Sequence, residues 1–282
     1  MITYFQAIVI GLLQGVTELF PISSLGHSVL LPAWLGWHGV VQAQSAKESY
    51  YLAFVVALHV GTAVALLAYF WKDWVRIIGG FFRTLRTRRI ETVDERMAWL
   101  LIVATIPAGL MGVLFEHSLR TVFAKPEAAG AFLAVNGVIL LVGERFRRRS
   151  ESGTTRAPDQ INLKEASVIG VAQIGALFAG ISRSGITMVA GLVRGLDHED
   201  AARFTFLLAT PIIFAAGVYK IPDLTGPLGA GIRGQALVGA ACAAAAGLAS
   251  VHFLVRFFRT RTLTPFAIYS LAVGVVSVIR FI

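Results

Sequence analysis

The sequence predicts an all-α polytopic membrane protein, with six transmembrane helices plus two re-entrant helical hairpins arranged as an inverted repeat in a single membrane domain, 1–282. Three observations carry that expectation. The 282 residues are 56% hydrophobic and only 15% charged, with a mean hydropathy of +0.72, where soluble domains carry about 25% charged residues. Six apolar runs are each long enough to cross ~30 Å of hydrocarbon. Two further apolar segments are broken in the middle by one and the same short polar pattern.

In chain order, the first broken segment covers 2–35 and is followed by spans at 51–71, 97–116 and 128–144. The second covers 165–195 and is followed by spans at 202–220, 234–255 and 264–281. A break at membrane depth frees backbone N–H and C=O groups that lipid cannot satisfy, so each break must be surrounded by protein or line a watery cavity. Hence the expectation of re-entrant hairpins. The breaks themselves match: Ile22-Ser23-Ser24-Leu25-Gly26 and Ile181-Ser182-Arg183-Ser184-Gly185 share I-S-x-x-G, each behind a phenylalanine (Phe20, Phe178) and a glutamine (Gln14, Gln173). "FLAVNGVILL" after Pro126 and "YSLAVGVVSV" after Pro265 echo one another too. Two echoes in the same order indicate a duplication, with repeat one at 1–150 and repeat two at 160–282. A hairpin plus three spans is an odd number of crossings, so the second copy must lie inverted.

Charge tests that topology. If 51–71 runs inward, the loops 72–96, 145–164 and 256–263 are cytoplasmic and carry sixteen Lys and Arg, whereas the loops 36–50, 117–127 and 221–233 carry four: Lys47, Arg120, Lys125 and Arg233. That asymmetry fits the positive-inside rule. The net charge of +9 therefore comes from clusters between apolar segments, which suit topology and lipid headgroups and exclude nucleic acid as the partner. No basic leader with a cleavage site opens the chain. Cys242 is the only cysteine, so neither an intrachain disulfide nor a thiolate metal site is expected.

The polar residues concentrate at the breaks. Gln14 and Glu18 are four apart and share a helix face, and Glu18 is the only charged side chain in the first thirty-four residues. An ionised group at bilayer depth costs on the order of 3 kcal/mol, so Glu18 needs a cation, a metal or a proton beside it. Ser23, Ser24, Gly26 and His27 follow, where a helix N-terminus would offer free N–H groups to an anion. Ser24 and His27 are three apart, within reach for acid–base assistance. The second break supplies Ser182, Arg183, Ser184 and Thr187. Arg183 lies eighteen residues after Glu165 and eleven before Arg194, with nothing charged between. Its donor fork matches phosphate oxygens. A site of this chemistry inside a membrane suits a phosphate carried on a lipid.

With those residues in view, the chain resembles the undecaprenyl-diphosphate phosphatases of the bacitracin-resistance type, over nearly its whole length. "QGVTELFPISSLGH" at 14–27 and "AGISRSGITMVAGL" at 179–192 are similar to the family's two motifs, and "LHVGT" at 58–62 and "PFAIY" at 265–269 are smaller matches. Gln14 stands where the family more often has Glu, Leu25 where Thr is common, Ala179 where the second motif has proline and Val55 where many members carry an acid.

The resemblance implies hydrolysis of undecaprenyl diphosphate to the monophosphate in the bacterial inner membrane, recycling the carrier for cell-wall polymers, with the site opening outward. Ser24, Glu18, His27 and Arg183 would be catalytic, and Ser23, Gly26, Ser182, Arg183, Ser184 and Thr187 would bind phosphate. A divalent cation, Mg²⁺ or Ca²⁺, would be shared by Glu18, Gln14 and the diphosphate. Attack by Ser24 and attack by a metal-bound water are both open, as is the proton acceptor, Glu18 or His27. A transporter of polyprenyl phosphate is the rival reading, since inverted repeats meeting at a midplane site also build secondary transporters. The assembly state, a homodimer included, is left open.

Overall fold

In the computed structural model, which describes residues 2–45, 50–123, 125–149 and 156–282, the chain is built of helices, with no strand among those residues. Among the described residues six helices are long and apolar enough to cross a membrane, which makes this a multi-pass membrane protein. They are α4 (Tyr50–Tyr69), α6 (Val93–Phe123), α7 (Pro126–Arg149), α10 (His198–Thr225), α11 (Arg233–Phe257) and α12 (Thr264–Phe281). All six fall on the expected spans: α12 matches its bounds, α4 stops two residues short, and the other four run past theirs by up to seven residues, because polar end residues such as Asp94, Arg145 and Glu199 continue the helices beyond their apolar middles.

Both interrupted segments are broken helices. The first consists of α1 (Tyr4–Thr17) and α2 (Ser24–Trp34), the second of α8 (Leu163–Ala172), a short 3₁₀ turn over Gln173–Leu177, and α9 (Arg183–Val193). Their starts are written locally. The Thr3 hydroxyl accepts from Gln6 N while the Gln6 amide accepts from Thr3 N, and Asn162 and Glu165 make the same reciprocal cap at α8. Residues 72–96, expected as a loop, instead hold a surface helix, α5 (Trp71–Thr87). Its apolar side chains recur at helical spacing among the arginines, a period that the charge count conceals. A short helix, α3 (His38–Ser45), likewise forms within 36–50. Lys47, residues 150–155 and the side chain of Arg120 lie outside the described residues.

Small residues let the broken helices lie against their neighbours. A Cβ on Gly11 of α1 would stand 2.4 Å from the Gly239 carbonyl oxygen of α11, and a Cβ on Gly170 of α8 would stand 2.5 Å from the Ala104 carbonyl oxygen of α6. Such close backbone approach is how helices associate where no hydrophobic force separates them from lipid. Gly11 is three before Gln14 and Gly170 three before Gln173, so the two contacts occupy the same place relative to the two breaks. A core of Leu66, Phe70, Leu100, Phe204 and Phe206 then locks α4, α6 and α10 together.

Gly11→Val should push α1 off α11 and cost about 1–3 kcal/mol. A fall of several degrees in the melting temperature of purified protein in detergent checks this, whereas Gly79→Ala, at a mid-helix glycine with open space around it, should hold or raise that temperature.

Candidate active site

The two breaks meet. Ser23 Oγ accepts both Gly26 N, at 3.2 Å, as the N-cap of α2 and Gly180 N, at 3.1 Å, from the other segment. Asn136 of α7 bridges them, donating Nδ2 to the Pro21 carbonyl at 3.0 Å and accepting Ser182 N on Oδ1 at 2.9 Å. Ser182 Oγ caps α9 through Gly185 N at 3.1 Å. Ser23 takes φ +69°, a left-handed conformation that a serine holds at a cost of order 1–3 kcal/mol. Gly180 takes φ +116°, and a Cβ there would run into the Ala129 carbonyl oxygen at 2.5 Å. These freed backbone groups are thus paired inside protein, where lipid could not satisfy them.

Glu18 follows α1 directly and is almost wholly buried. Its Oε2 accepts Ser24 Oγ at 2.5 Å and Gln14 Nε2 at 2.9 Å, and its Oε1 pairs with the Arg183 guanidinium. A second Arg183 nitrogen, Nη1, donates to the Ala209 carbonyl at 3.2 Å, which fixes the fork. His59, from the middle of α4, brings Nε2 to 3.2 Å from Glu18 Oε2. Its Nδ1 donates to the Val55 carbonyl at 2.8 Å, which holds the ring with Nε2 toward the carboxylate. The N-termini of α2 and α9 lie beside them, and a helix N-terminus favours an anion.

These groups line a cavity of about 250 Å³ with Ser23, Ser24, Gln173 and Ser182 on its wall. Through shared walls at Leu25, Val55, Ala108 and Ile212 it adjoins a larger, mainly apolar cavity of about 420 Å³, which extends toward Tyr51, Val113 and Tyr219. The site therefore has a polar end and an apolar end.

Of the residues expected in the site, Gln14, Glu18, Ser23, Ser24, Ser182 and Arg183 come together as the sequence suggests. Four stand elsewhere. His27 packs its ring on Tyr269, with Nδ1 on the Ser23 carbonyl and Nε2 on Tyr269 Oη, each at 2.8 Å. It lines neither cavity. Gly26 is a packing residue, where a Cβ would meet the Gly180 Cα at 2.9 Å. Ser184 Oγ donates to the Phe20 carbonyl at 3.1 Å and faces Ser182 Oγ at 3.0 Å. Thr187 is buried with its hydroxyl unpaired. His59 was not among the expected site residues. The signal for it lay in "LHVGT", where an imidazole interrupts an apolar span.

Among the described residues no three His, Cys, Asp or Glu side chains stand close enough to hold a metal ion. Glu18 and Gln14 nevertheless supply a carboxylate and an amide at one point, a donor set that fits a hard cation taking its remaining ligands from phosphate and water.

Six membrane-length helices around a buried seat of Glu18, Arg183, His59 and Ser24, with an apolar annex, define an integral membrane protein with a polar site enclosed among its helices. The chain belongs to the family of bacitracin resistance protein BacA, which it matches over residues 7–276. It is 52% identical to undecaprenyl-diphosphatase 2 of Frankia alni, over 99% of this chain and 98% of that one. It is 55% identical to undecaprenyl-diphosphatase of Mycolicibacterium paratuberculosis, over 99% and 97%. To undecaprenyl-diphosphatase 2 of Chromobacterium violaceum it is 44% identical, over 97% of each chain.

Asn136→Ala removes a side chain of α7 that bonds to both breaks. Because it leaves a buried N–H and a buried carbonyl unpaired, it should cost about 1–3 kcal/mol for each. Hydrogen exchange at residues 20–26 and 179–185, measured by mass spectrometry, should accelerate together.

Proposed function

We propose that this protein hydrolyses undecaprenyl diphosphate to undecaprenyl phosphate and inorganic phosphate, recycling the lipid carrier for cell-wall synthesis and conferring bacitracin resistance. The observation that carries the reading is Ser24 Oγ at 2.5 Å from the carboxylate that Arg183 also holds. This hydroxyl, base and phosphate-binding cation share one cavity wall. A transporter of the same lipid needs the arginine but has no use for a serine on a carboxylate.

Ser24 Oγ attacks the terminal phosphorus in line. Its proton passes to Glu18 Oε2, the bond from phosphorus to the bridging oxygen breaks, and undecaprenyl phosphate leaves. Arg183 and His59 hold the negative charge on the transferred phosphoryl oxygens, and Ser23 and Ser182 hydroxyls orient it. Water then cleaves the phosphoserine and returns the proton to Ser24. His27, with both ring nitrogens engaged, positions the Ser23 carbonyl and leaves proton transfer to Glu18. A Mg²⁺ or Ca²⁺ ion on Glu18 and Gln14 would, when bound, neutralise diphosphate charge. The isoprenoid tail occupies the apolar cavity.

That cavity points toward the ends of α4, α6 and α10 marked by Tyr51, Val113 and Tyr219, opposite the arginine-rich ends. By the positive-inside rule this supports a site that opens outward from the bacterial inner membrane. The equivalent placing of Gly11 and Gly170, and of the Ser23 and Ser182 caps, supports the inverted repeat.

Purified protein in detergent should release phosphate from undecaprenyl diphosphate, and Arg183→Ala should lower kcat by about 10²–10³. Arg183→Lys should not restore it, because an ammonium cannot span Glu18 and the Ala209 carbonyl at once. Labelled phosphate should be trapped on the wild type and not on Ser24→Ala. A label that persists in Ser24→Ala would take the serine out of the nucleophile's role. For the ion, isothermal titration of Mg²⁺ or Ca²⁺ into protein with a non-hydrolysable diphosphate lipid should show binding that Glu18→Gln abolishes.

A further inference from the structure

Helix α5 has three faces. At 100° per residue, Ile77 and Thr84 fall on its buried side, with Trp74 and Phe81 packed on the adjoining core. Trp71, Val75, Ile78, Phe82 and Leu85 fall within an arc of about 80°, and every one of them is exposed, Val75 and Phe82 each by 63%. Between these two faces lie Lys72, Arg76, Arg83 and Arg86, and the helix ends into Arg88 and Arg89. A soluble protein does not leave an apolar stripe of this length in water. A transmembrane helix would not carry so many arginines.

The cations divide into two sets. Arg76 pairs with Asp73 and Asp94, and Arg83 pairs with Glu95. Asp73 also holds Arg203 of α10 at 2.6 Å, which ties α5 to the bundle. Lys72, Arg86, Arg88 and Arg89 have no acidic partner among the described residues, and all are exposed. The apolar stripe is continuous with surface that must face lipid, because exposed Val64 and Leu67 of the membrane-length α4 lead into Trp71 within one turn.

We propose that α5 is an in-plane anchor that binds the anionic phospholipid of the leaflet it lies on, its Trp71-to-Leu85 stripe among acyl chains and the four cations that lack an acidic partner on headgroup phosphates. Charge chooses this occupant over a second copy of the chain, since a second copy would set cation against cation, whereas a lipid phosphate supplies the missing anion. The amphipathic pattern, apolar on one side and basic on the next, is that of helices lying in the interface plane.

The full chain carrying Cys242→Ser takes a nitroxide at Phe82→Cys or at Gly79→Cys, the latter in open space beside the basic face. Each is reconstituted into phosphatidylcholine vesicles and into vesicles of equal parts phosphatidylcholine and phosphatidylglycerol. The label at 82 should collide freely with oxygen and be shielded several-fold from a water-soluble nickel chelate, and the label at 79 should show the reverse. Phosphatidylglycerol should deepen the shielding at 82. Replacing Arg86, Arg88 and Arg89 by Gln should abolish that deepening and lower phosphatidylglycerol co-purifying with the protein by about fivefold per cation removed. Phosphate release in detergent by the triple variant, which touches nothing in the cavity, shows that it has folded. Chelate access at 82 equal to that at 79 would overturn the anchor, equal shielding with and without phosphatidylglycerol would overturn its anionic preference, and dipolar broadening between labels at 82 would give the stripe to a second copy.

Discussion

The Glu18 carboxylate is the constraint on which the rest depends. It is a charge buried inside a membrane-length bundle, with an exposure of 6%, and removing such a charge from water costs several kcal/mol unless partners replace the solvent. Four side chains replace it, and they come from three parts of the chain: Gln14 and Ser24 from the first broken helix, His59 from a spanning helix, Arg183 from the second broken helix. The breaks must face each other because the charge and its counter-charge lie on opposite ones. Once they do, the same meeting places a hydroxyl on the carboxylate and a guanidinium where a phosphoryl group would sit. Stability and chemistry draw on one set of contacts.

The breaks also settle their own backbone. A helix that stops inside a membrane exposes groups nothing in lipid can satisfy, and here Gly26 and Gly185 N are closed by serine caps, Gly180 N by the neighbouring break and Ser182 N by Asn136. The left-handed Ser23 is the cost of turning the chain so tightly. It is held because its hydroxyl is used twice. The polar cavity that results would be poor at holding a lipid by itself. Its apolar neighbour supplies the walls for a tail, so the two cavities together have the character of an amphiphile.

Much of this was legible in the sequence, for physical reasons. Apolar length marks a spanning helix whatever packs against it, so all six were readable. A lone Glu18 and a lone Arg183 in apolar runs announce a buried pair, because neither is tolerable without the other. What could not be read was set by rotation and by distance along the chain. His27 and Ser24 are three apart, but the ring turns away to Tyr269, 242 residues distant. His59 looked like one polar side chain in an apolar helix until Glu18 was placed beside it. Helix α5 was hidden because its arginines read as a loop, although its apolar residues keep helical time.

The bond between Glu18 and Arg183 joins residues 165 positions apart, and that separation has a meaning in time. A ribosome adding roughly 5–20 residues per second needs on the order of ten to thirty seconds to make the chain between them. Throughout that interval the first broken helix has its acid but not its arginine. It can wait at the membrane surface, or enter with the carboxyl protonated, but it cannot adopt its final form. The contact that completes the first broken helix can therefore form only after residue 183 has been made.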